Sequence, residues 1–250
     1  MELKRGKFQG VLNILSFNRH FYIIGISILL VFGLSLYIIN WNITIFWIVI
    51  IAFIYGLIAP LIVSAYVYDF SGYYKMSWLN NLKLNSSKIT QIVNINAGFD
   101  ETSFILNKKF ETAQIRVFDF YDSRRHTEPA IVRARKVSSV FPNTQQINSR
   151  QIPMNNKSAD IIFLLSALHE IRSNSEKIDF LKECKRILKP EGHLIIVEHL
   201  RDLPNLLAFS FGFTHFFSKK NWLDVLKKAR FVETRESKFT PFMSIFVSKI

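Results

Sequence analysis

From Phe21 to Tyr68 the chain contains no Asp, Glu, Lys or Arg, and this apolar run breaks only at Asn40-Trp41-Asn42. A helix needs about 20 apolar residues to cross roughly 30 Å of hydrocarbon, and each half of the run has that length. The pattern predicts two transmembrane helices, about 21–39 and 43–66, joined by a very short turn. A cleaved signal peptide shares the basic lead-in but has a shorter apolar core and no second run directly behind it. Charge-free runs of this length are also rare in soluble cores. Lys4, Arg5, Lys7 and Arg19 precede the hairpin, Lys75 and Lys83 follow it, and none lies in its turn, so the expected topology is multi-pass in the cell membrane with both ends cytoplasmic.

The formal net charge of +13 admits nucleic acid or an anionic membrane surface as partner. Basic residues beside a membrane hairpin gain affinity for anionic lipid head groups, so the membrane accounts for the charge. No zinc-finger spacing, aromatic RNA-binding signature or recognition-helix pattern is present, and no nucleic-acid partner is expected. Residues 1–20 form a basic juxtamembrane segment suited to a short interfacial helix. Residues 69–87 connect the hairpin to the rest, with Tyr73, Tyr74 and Trp78 as interfacial anchors. The lone Cys184 excludes intramolecular disulfides and suits a reducing compartment.

From about residue 88 to 250, strands and helices alternate, which predicts an α/β fold: a doubly wound, mainly parallel, seven-stranded Rossmann-like sheet behind the hairpin. Strands are expected near 89–95, 113–118, 145–148, 160–165, 193–197, 233–237 and 242–248. Helices are expected near 102–109, 128–137, 175–188 and 219–229, the third ended by Lys189-Pro190-Glu191-Gly192. The first strand runs into the small-residue turn Asn96-Ala97-Gly98 and then a helix start. In an open parallel sheet that turn lies at the carboxyl edge, where ligands bind. Asp119, 21 residues beyond Gly98, stands at the end of the second strand, where a carboxylate can accept hydrogen bonds from both hydroxyls of a ribose.

The ordered set Ile92-Val93-Asn94-Ile95-Asn96-Ala97-Gly98, Val117-Phe118-Asp119-Phe120, Gln151-Ile152-Pro153-Met154, Ser158-Ala159-Asp160-Ile161-Ile162-Phe163 and Arg186-Ile187-Leu188-Lys189-Pro190-Glu191-Gly192-His193-Leu194 resembles the class I S-adenosylmethionine-dependent methyltransferases, of the type 11-like branch acting on small molecules. The resemblance covers about 86–250. It implies S-adenosylmethionine as cofactor, with Asn94, Asn96, Ala97, Gly98, Asp119, Phe120, Asn148 and Leu164 as binding residues. The first turn departs from the family pattern: Asn94 replaces an acid, and Asn96 and Asp100 replace glycines. Asn96 tolerates a left-handed backbone and can preserve the turn. Asp100 can face the cofactor's ammonium group or cap the helix.

Candidates for the chemistry sit where strands four and five end. His169, Glu170, Glu198 and His199 should converge on the crevice, with His215 able to close over it. His169 is the expected base, oriented by Glu170 or Glu198. Ion pairs of Glu198 with Arg201 and of Glu170 with Arg172 are the plainer reading. With no HExxH spacing, no metal ligands are assigned. The reading that results is a membrane-anchored methyltransferase acting at the cytoplasmic face on a small amphipathic or lipid-like acceptor. The alternative is a methyltransferase-like domain without cofactor that serves as a membrane interaction or regulatory module.

Overall fold

The computed structural model describes residues 5–82, 84 and 89–250. Lys4, Lys83, the end of the expected connector (85–87) and Lys88 lie outside them. Helix α1 (Gln9–Phe17) is followed by the two apolar helices α2 (Arg19–Ile38) and α3 (Ile43–Ser64). The chain reverses between them because Asn40 adopts a left-handed backbone (φ 48°) and the Asn42 side chain caps α3, accepting from the Thr44 and Ile45 N–H groups at 3.0 and 3.4 Å. The two helices are long and apolar enough to cross a membrane. Most of their side chains stand clear of protein, Leu30, Val31, Ile48 and Ile51 among them. Helix α3 continues through a π-helical turn (Ala65–Phe70) into the soluble domain.

The strands are β1 (Gln91–Asn96), β2 (Gln114–Asp119), β3 (Gln145–Gln146), β4 (Ala159–Leu165), β5 (Leu188–His199), β6 (Glu233–Thr240) and β7 (Met243–Lys249). Among the described residues they form one sheet in the order β3-β2-β1-β4-β5-β7-β6, with β1 to β5 parallel and β7 antiparallel to both its neighbours. The helices are α4 (Ser103–Lys109), α5 (Pro129–Val137), α6 (Asn174–Ile187), α7 (Leu203–Phe209) and α8 (Lys219–Lys228). Strands β1 and β4 are apolar throughout because both faces of the sheet are covered. On one face Phe180, Leu181, Cys184, Trp222 and Leu226 of α6 and α8 pack on Val93, Ile162 and Ile196. On the other, Leu106 of α4 and Tyr73, Met76, Trp78 and Leu79 of the connector pack on Ile92, Ile161 and Ile195.

Three expectations are corrected. Tyr73 and Trp78 are buried, not interfacial anchors: Trp78 Nε1 donates to the Tyr73 carbonyl, and the connector serves as a layer of the core. Strand β5 starts at Leu188, directly after α6, and Lys189–Gly192 form an irregularity within it where the register with β4 shifts. Helix α1 docks by one face on the domain that follows the hairpin, with Leu12 and Leu15 left exposed on the other. Asp69 accepts from the Gly10 and Val11 N–H groups at 2.7 and 3.0 Å, Phe17 packs edge-on against Phe99 at 5.4 Å, and Arg133 donates to the Phe17 carbonyl. Arg5 pairs with Glu101 and stacks 3.4 Å over Tyr74. Protein, not lipid, therefore neutralises this basic residue.

The hairpin and the sheet meet at the end of β5. The Tyr68 hydroxyl lies 2.9 Å from His199 Nε2, while His199 Nδ1 is within 3.0 Å of the Phe242 carbonyl and 3.1 Å of Asn205 Oδ1. Two acceptors at Nδ1 require the proton there, so Tyr68 donates to Nε2 and the imidazole is neutral. Burial lowers its pKa to about 4, against partial support from Asn205 and Phe242.

Two outcomes follow from these contacts. Replacing Asp69 with Ala removes the acceptor for two N–H groups of α1, at a cost of about 1 kcal/mol; proteolysis within residues 5–18 should accelerate, and an unchanged rate would refute the docking. Because the folded pKa of His199 lies below its ordinary 6.5, the unfolded chain binds the extra proton first. Stability from this group is complete above pH 6.5 and falls by about 3 kcal/mol as pH drops toward 4. Thermal midpoints across that window should drop in the native protein and stay flatter in His199→Asn; equal profiles would contradict the neutral junction.

Candidate functional site

The turn after β1 is built from side chains where a glycine-rich loop would use bare backbone. Gly98 adopts φ 94°, and a Cβ there would come 2.9 Å from the Tyr121 ring. Asn96 belongs to β1 and is not left-handed; it shapes the turn by accepting the Gly98 N–H on Oδ1 at 3.1 Å. Asn94 is buried and donates to the hydroxyls of Thr102 and Ser103 at 3.0 and 2.8 Å, which ties the strand to the start of α4. Asp100 Oδ1 accepts from the Thr102 and Ser103 N–H groups, each at 2.9 Å, and so caps the helix. Burial raises its pKa against these hydrogen bonds. Ala97 is buried beside them.

Three polar atoms at this turn, Asn94 Oδ1, Asn96 Nδ2 and Asp100 Oδ2, are buried without a protein partner among the described residues. Each costs about 1–3 kcal/mol while unmatched. An amino-acid group with its carboxylate at the Asn96 amide and its ammonium at Asp100 would satisfy two of them. Asp119 ends β2 with Oδ1 accepting from the Tyr121 N–H at 2.8 Å and Oδ2 from Arg135 Nη1 at 2.6 Å. The Arg135 guanidinium lies 4.5 Å over the Tyr121 ring, and its side chain is 41 % exposed. A nucleoside diol therefore displaces only a solvent-facing arginine. These residues fit a cofactor carrying an amino acid and a ribose.

Of the remaining expected cofactor residues, two lie in the core and one at the surface. Phe120 is core, packed at 5.5 Å against Phe180. Leu164 is fully buried in the same cluster. Asn148 is exposed, with Oδ1 accepting from the Arg150 N–H.

At its carboxyl end, β4 gives way at Ser166 (φ 50°) to a 3-10 turn, Leu168–Glu170. His169 Nδ1 lies 2.8 Å from Glu198 Oε2, and its N–H donates to Glu198 Oε1 at 3.2 Å. Its Nε2 is 3.4 Å from Glu170 Oε1, and its ring meets His215 edge-on at 5.2 Å. Burial opposes charge on His169, but Glu198 and Glu170 outweigh it and raise the pKa to about 10. Burial and the His169 charge lower His215, and the His169 partnership lowers Glu170 despite burial. Thus His169, Glu170 and Glu198 do converge. His199 does not join them: both its nitrogens serve the hairpin junction and its ring stacks on Phe216 at 4.8 Å.

The expected ion pairs are also absent among the described residues. Arg172 instead donates to the carbonyls of His169 and His215, and Arg201 to those of Thr214 and Phe216. Sequence reasoning missed Lys177, which is fully buried with Nζ 3.2 Å from the centroid of the Phe217 ring and 4.7 Å from that of Trp222. Burial pushes it down to about 7, against a raising effect from Glu198. On helix α6 it reads as one more surface lysine. A cavity of about 650 Å³ lined by Gln91, Arg116, Met154 and Arg186 lies at the amino-terminal edge of the sheet, away from this chemistry.

Residues 97–196 match a family described as "Methyltransferase domain". No curated protein sequence matches the chain. Among solved structures, human N-acetylserotonin methyltransferase in complex with SAM is 14 % identical, with TM-score 0.50 over 74 % of this chain and 55 % of that one. The PH0226 protein from Pyrococcus horikoshii OT3 is 16 % identical, with TM-score 0.51 over 73 % and 91 %. At such identities the likeness concerns the fold, and this chain spans little more than half of the human enzyme. Taken with the strand order, the match over residues 97–196 makes the region from β1 onward similar to the class I S-adenosylmethionine-dependent methyltransferases.

Proposed function

We propose that the protein is a membrane-anchored methyltransferase whose domain works at the cytoplasmic face on a small amphipathic or lipid-like acceptor. The observation that carries this reading is the junction between α3 and the crevice. Tyr68, at the end of the second apolar helix, bonds to His199, and the adjacent Glu198 holds His169. Farther along the same helix, the Tyr55 hydroxyl donates to the Leu207 carbonyl of α7 at 2.7 Å. Leu203, Leu206, Leu207 and Phe211 are exposed beside it. Each large aliphatic or aromatic side chain moved from water to an apolar medium gains about 1.5–3 kcal/mol. Ten of them on α2 and α3 exceed a domain's usual net stability of about 5–15 kcal/mol, which favours hydrocarbon as their surroundings. The crevice mouth then stands at the bilayer surface, where an amphipathic acceptor is concentrated.

When bound, S-adenosylmethionine supplies a sulfonium methyl group for transfer to a nucleophilic atom of the acceptor. Asn96 and Asp100 would hold its amino-acid end and Asp119 its ribose, with Gly98 allowing close approach. Alignment of donor and acceptor provides most of the rate. His169, Glu170 and Glu198 line the acceptor end and would orient an acceptor's polar group; His199 acts as a positioning residue through Tyr68.

With S-adenosylmethionine labelled in its methyl group and protein embedded in native membranes, label should appear in the organic-extractable fraction. Phe211→Asp, which places a charge on the apolar rim, should lower that transfer about tenfold while leaving cofactor affinity unchanged. Label confined to water-soluble products, or an indifferent Phe211→Asp, would refute the membrane acceptor.

A further inference from the structure

His169, Glu170 and His215 each offer one ligand atom, and these atoms all lie within 4.8 Å of one another. The first two come from the turn after β4 and the third from the 3-10 turn Ser210–His215 that follows α7, so the fold brings together groups far apart in sequence. We propose that this cluster is a binding site for a divalent transition cation of the zinc class, held by His169 Nε2, the Glu170 carboxylate and a ring nitrogen of His215.

Five observations support the assignment. Glu198 is hydrogen-bonded to His169 Nδ1, which leaves Nε2 as the ring's ligating atom. A carboxylate behind the far nitrogen of a metal-binding histidine is the usual orienting partner, and Glu198, 2 % exposed, is fixed in that position. The His169 Nε2 to Glu170 Oε1 separation is 3.4 Å. A tetrahedral site with bonds near 2.0–2.1 Å has ligand–ligand edges of about 3.3 Å, so this pair already spans one edge. Arg172 Nη1 donates to the carbonyls of both His169 and His215, at 3.2 and 2.7 Å, and braces the two ligand-bearing segments against each other. Two imidazoles and a carboxylate are also the donor set that suits zinc or iron(II) better than magnesium or calcium. Glu128 Oε2, 3.7 Å from His215 Nδ1, stands behind the third ligand.

Three protein ligands leave coordination open, as in catalytic and not closed structural sites. The cluster lies at the acceptor end of the crevice, so the open position suits an oxygen, nitrogen or sulfur atom of an acceptor. This consequence rests on the methyltransferase reading; the cation site itself does not.

The test uses the full chain in detergent, free of any affinity tag and stripped with chelator, titrated with zinc and separately with cobalt(II). One equivalent should bind, and cobalt should give the intense visible bands of a four-coordinate site. His215→Ala should abolish the cobalt spectrum, Glu170→Gln should weaken zinc binding at least tenfold, and Glu198→Gln should weaken it about 10–100-fold with the stoichiometry kept. S-adenosylmethionine affinity, measured on the same samples, reports separately on the fold and on the methyltransferase reading. Cofactor binding without any metal binding would overturn the site, as would zinc binding that His215→Ala and Glu170→Gln leave unchanged. Metal binding without cofactor binding would uphold it and overturn the other reading.

Discussion

The end of strand β5 is the joint on which the molecule turns. Consecutive strand residues project to opposite faces of a sheet. Glu198 therefore points to the α6 and α8 side and fixes His169, while His199 points to the connector side and receives the Tyr68 hydroxyl. One dipeptide thus couples an apolar helix to the candidate acceptor site with no flexible linker between them. The joint is stiff because it is dry. The His199 imidazole is buried and neutral, and Asn205, which shares the Phe242 carbonyl with it, is also bound by Asp202 at the head of α7. The short helix that lies beside α3 is thereby tied to the same point.

The first turn keeps its shape with one glycine. Gly98 supplies the only backbone conformation there that a side chain would strain. Everything else is done by hydrogen bonds. The Asn96 side-chain Oδ1 holds the turn, Asn94 gathers the two hydroxyls that open α4, and Asp100 caps that helix with one oxygen while the other has no partner among the described residues. The acidic group in place of a glycine looks hostile to a cofactor carboxylate when read as an isolated charge. As a cap at a helix N-terminus it is half used already, and its remaining oxygen suits an ammonium group.

How far the sequence could be read depended on the range of the interaction that decides each element. Strands β1 and β4 were legible as short apolar runs because burial on both faces dictates their composition. The two apolar helices were legible because the run from Phe21 to Tyr68 carries no charge, and the break at Asn40 and Asn42 marked their turn. Asp119 and the convergence of His169 with Glu198 followed from strand order alone. Long-range pairings were not legible. Nothing near Arg5 announces Glu101, so α1 read as a lipid-facing helix. Tyr73 and Trp78 have interfacial composition, and only the missing cover on one face of the sheet draws them inside. The start of β5 was hidden because Pro190 and Gly192 look like a helix stop, whereas the chain passes from α6 into the strand at Leu188 and absorbs them as a register shift. Arg135 on Asp119 and Lys177 against Phe217 are tertiary placements that residue type does not signal.

The central claim is that the turn after β1, together with Asp119, holds S-adenosylmethionine despite its altered residues. Calorimetric titration of S-adenosylmethionine into the detergent-solubilised full-length protein, with Asp119→Ala and Arg135→Ala alongside, tests it most directly. The account predicts micromolar binding that Asp119→Ala loses and that Arg135→Ala keeps or strengthens, since removing the arginine frees the carboxylate. Absence of binding in a folded protein would contradict the account and favour a domain that has kept the fold for interaction alone.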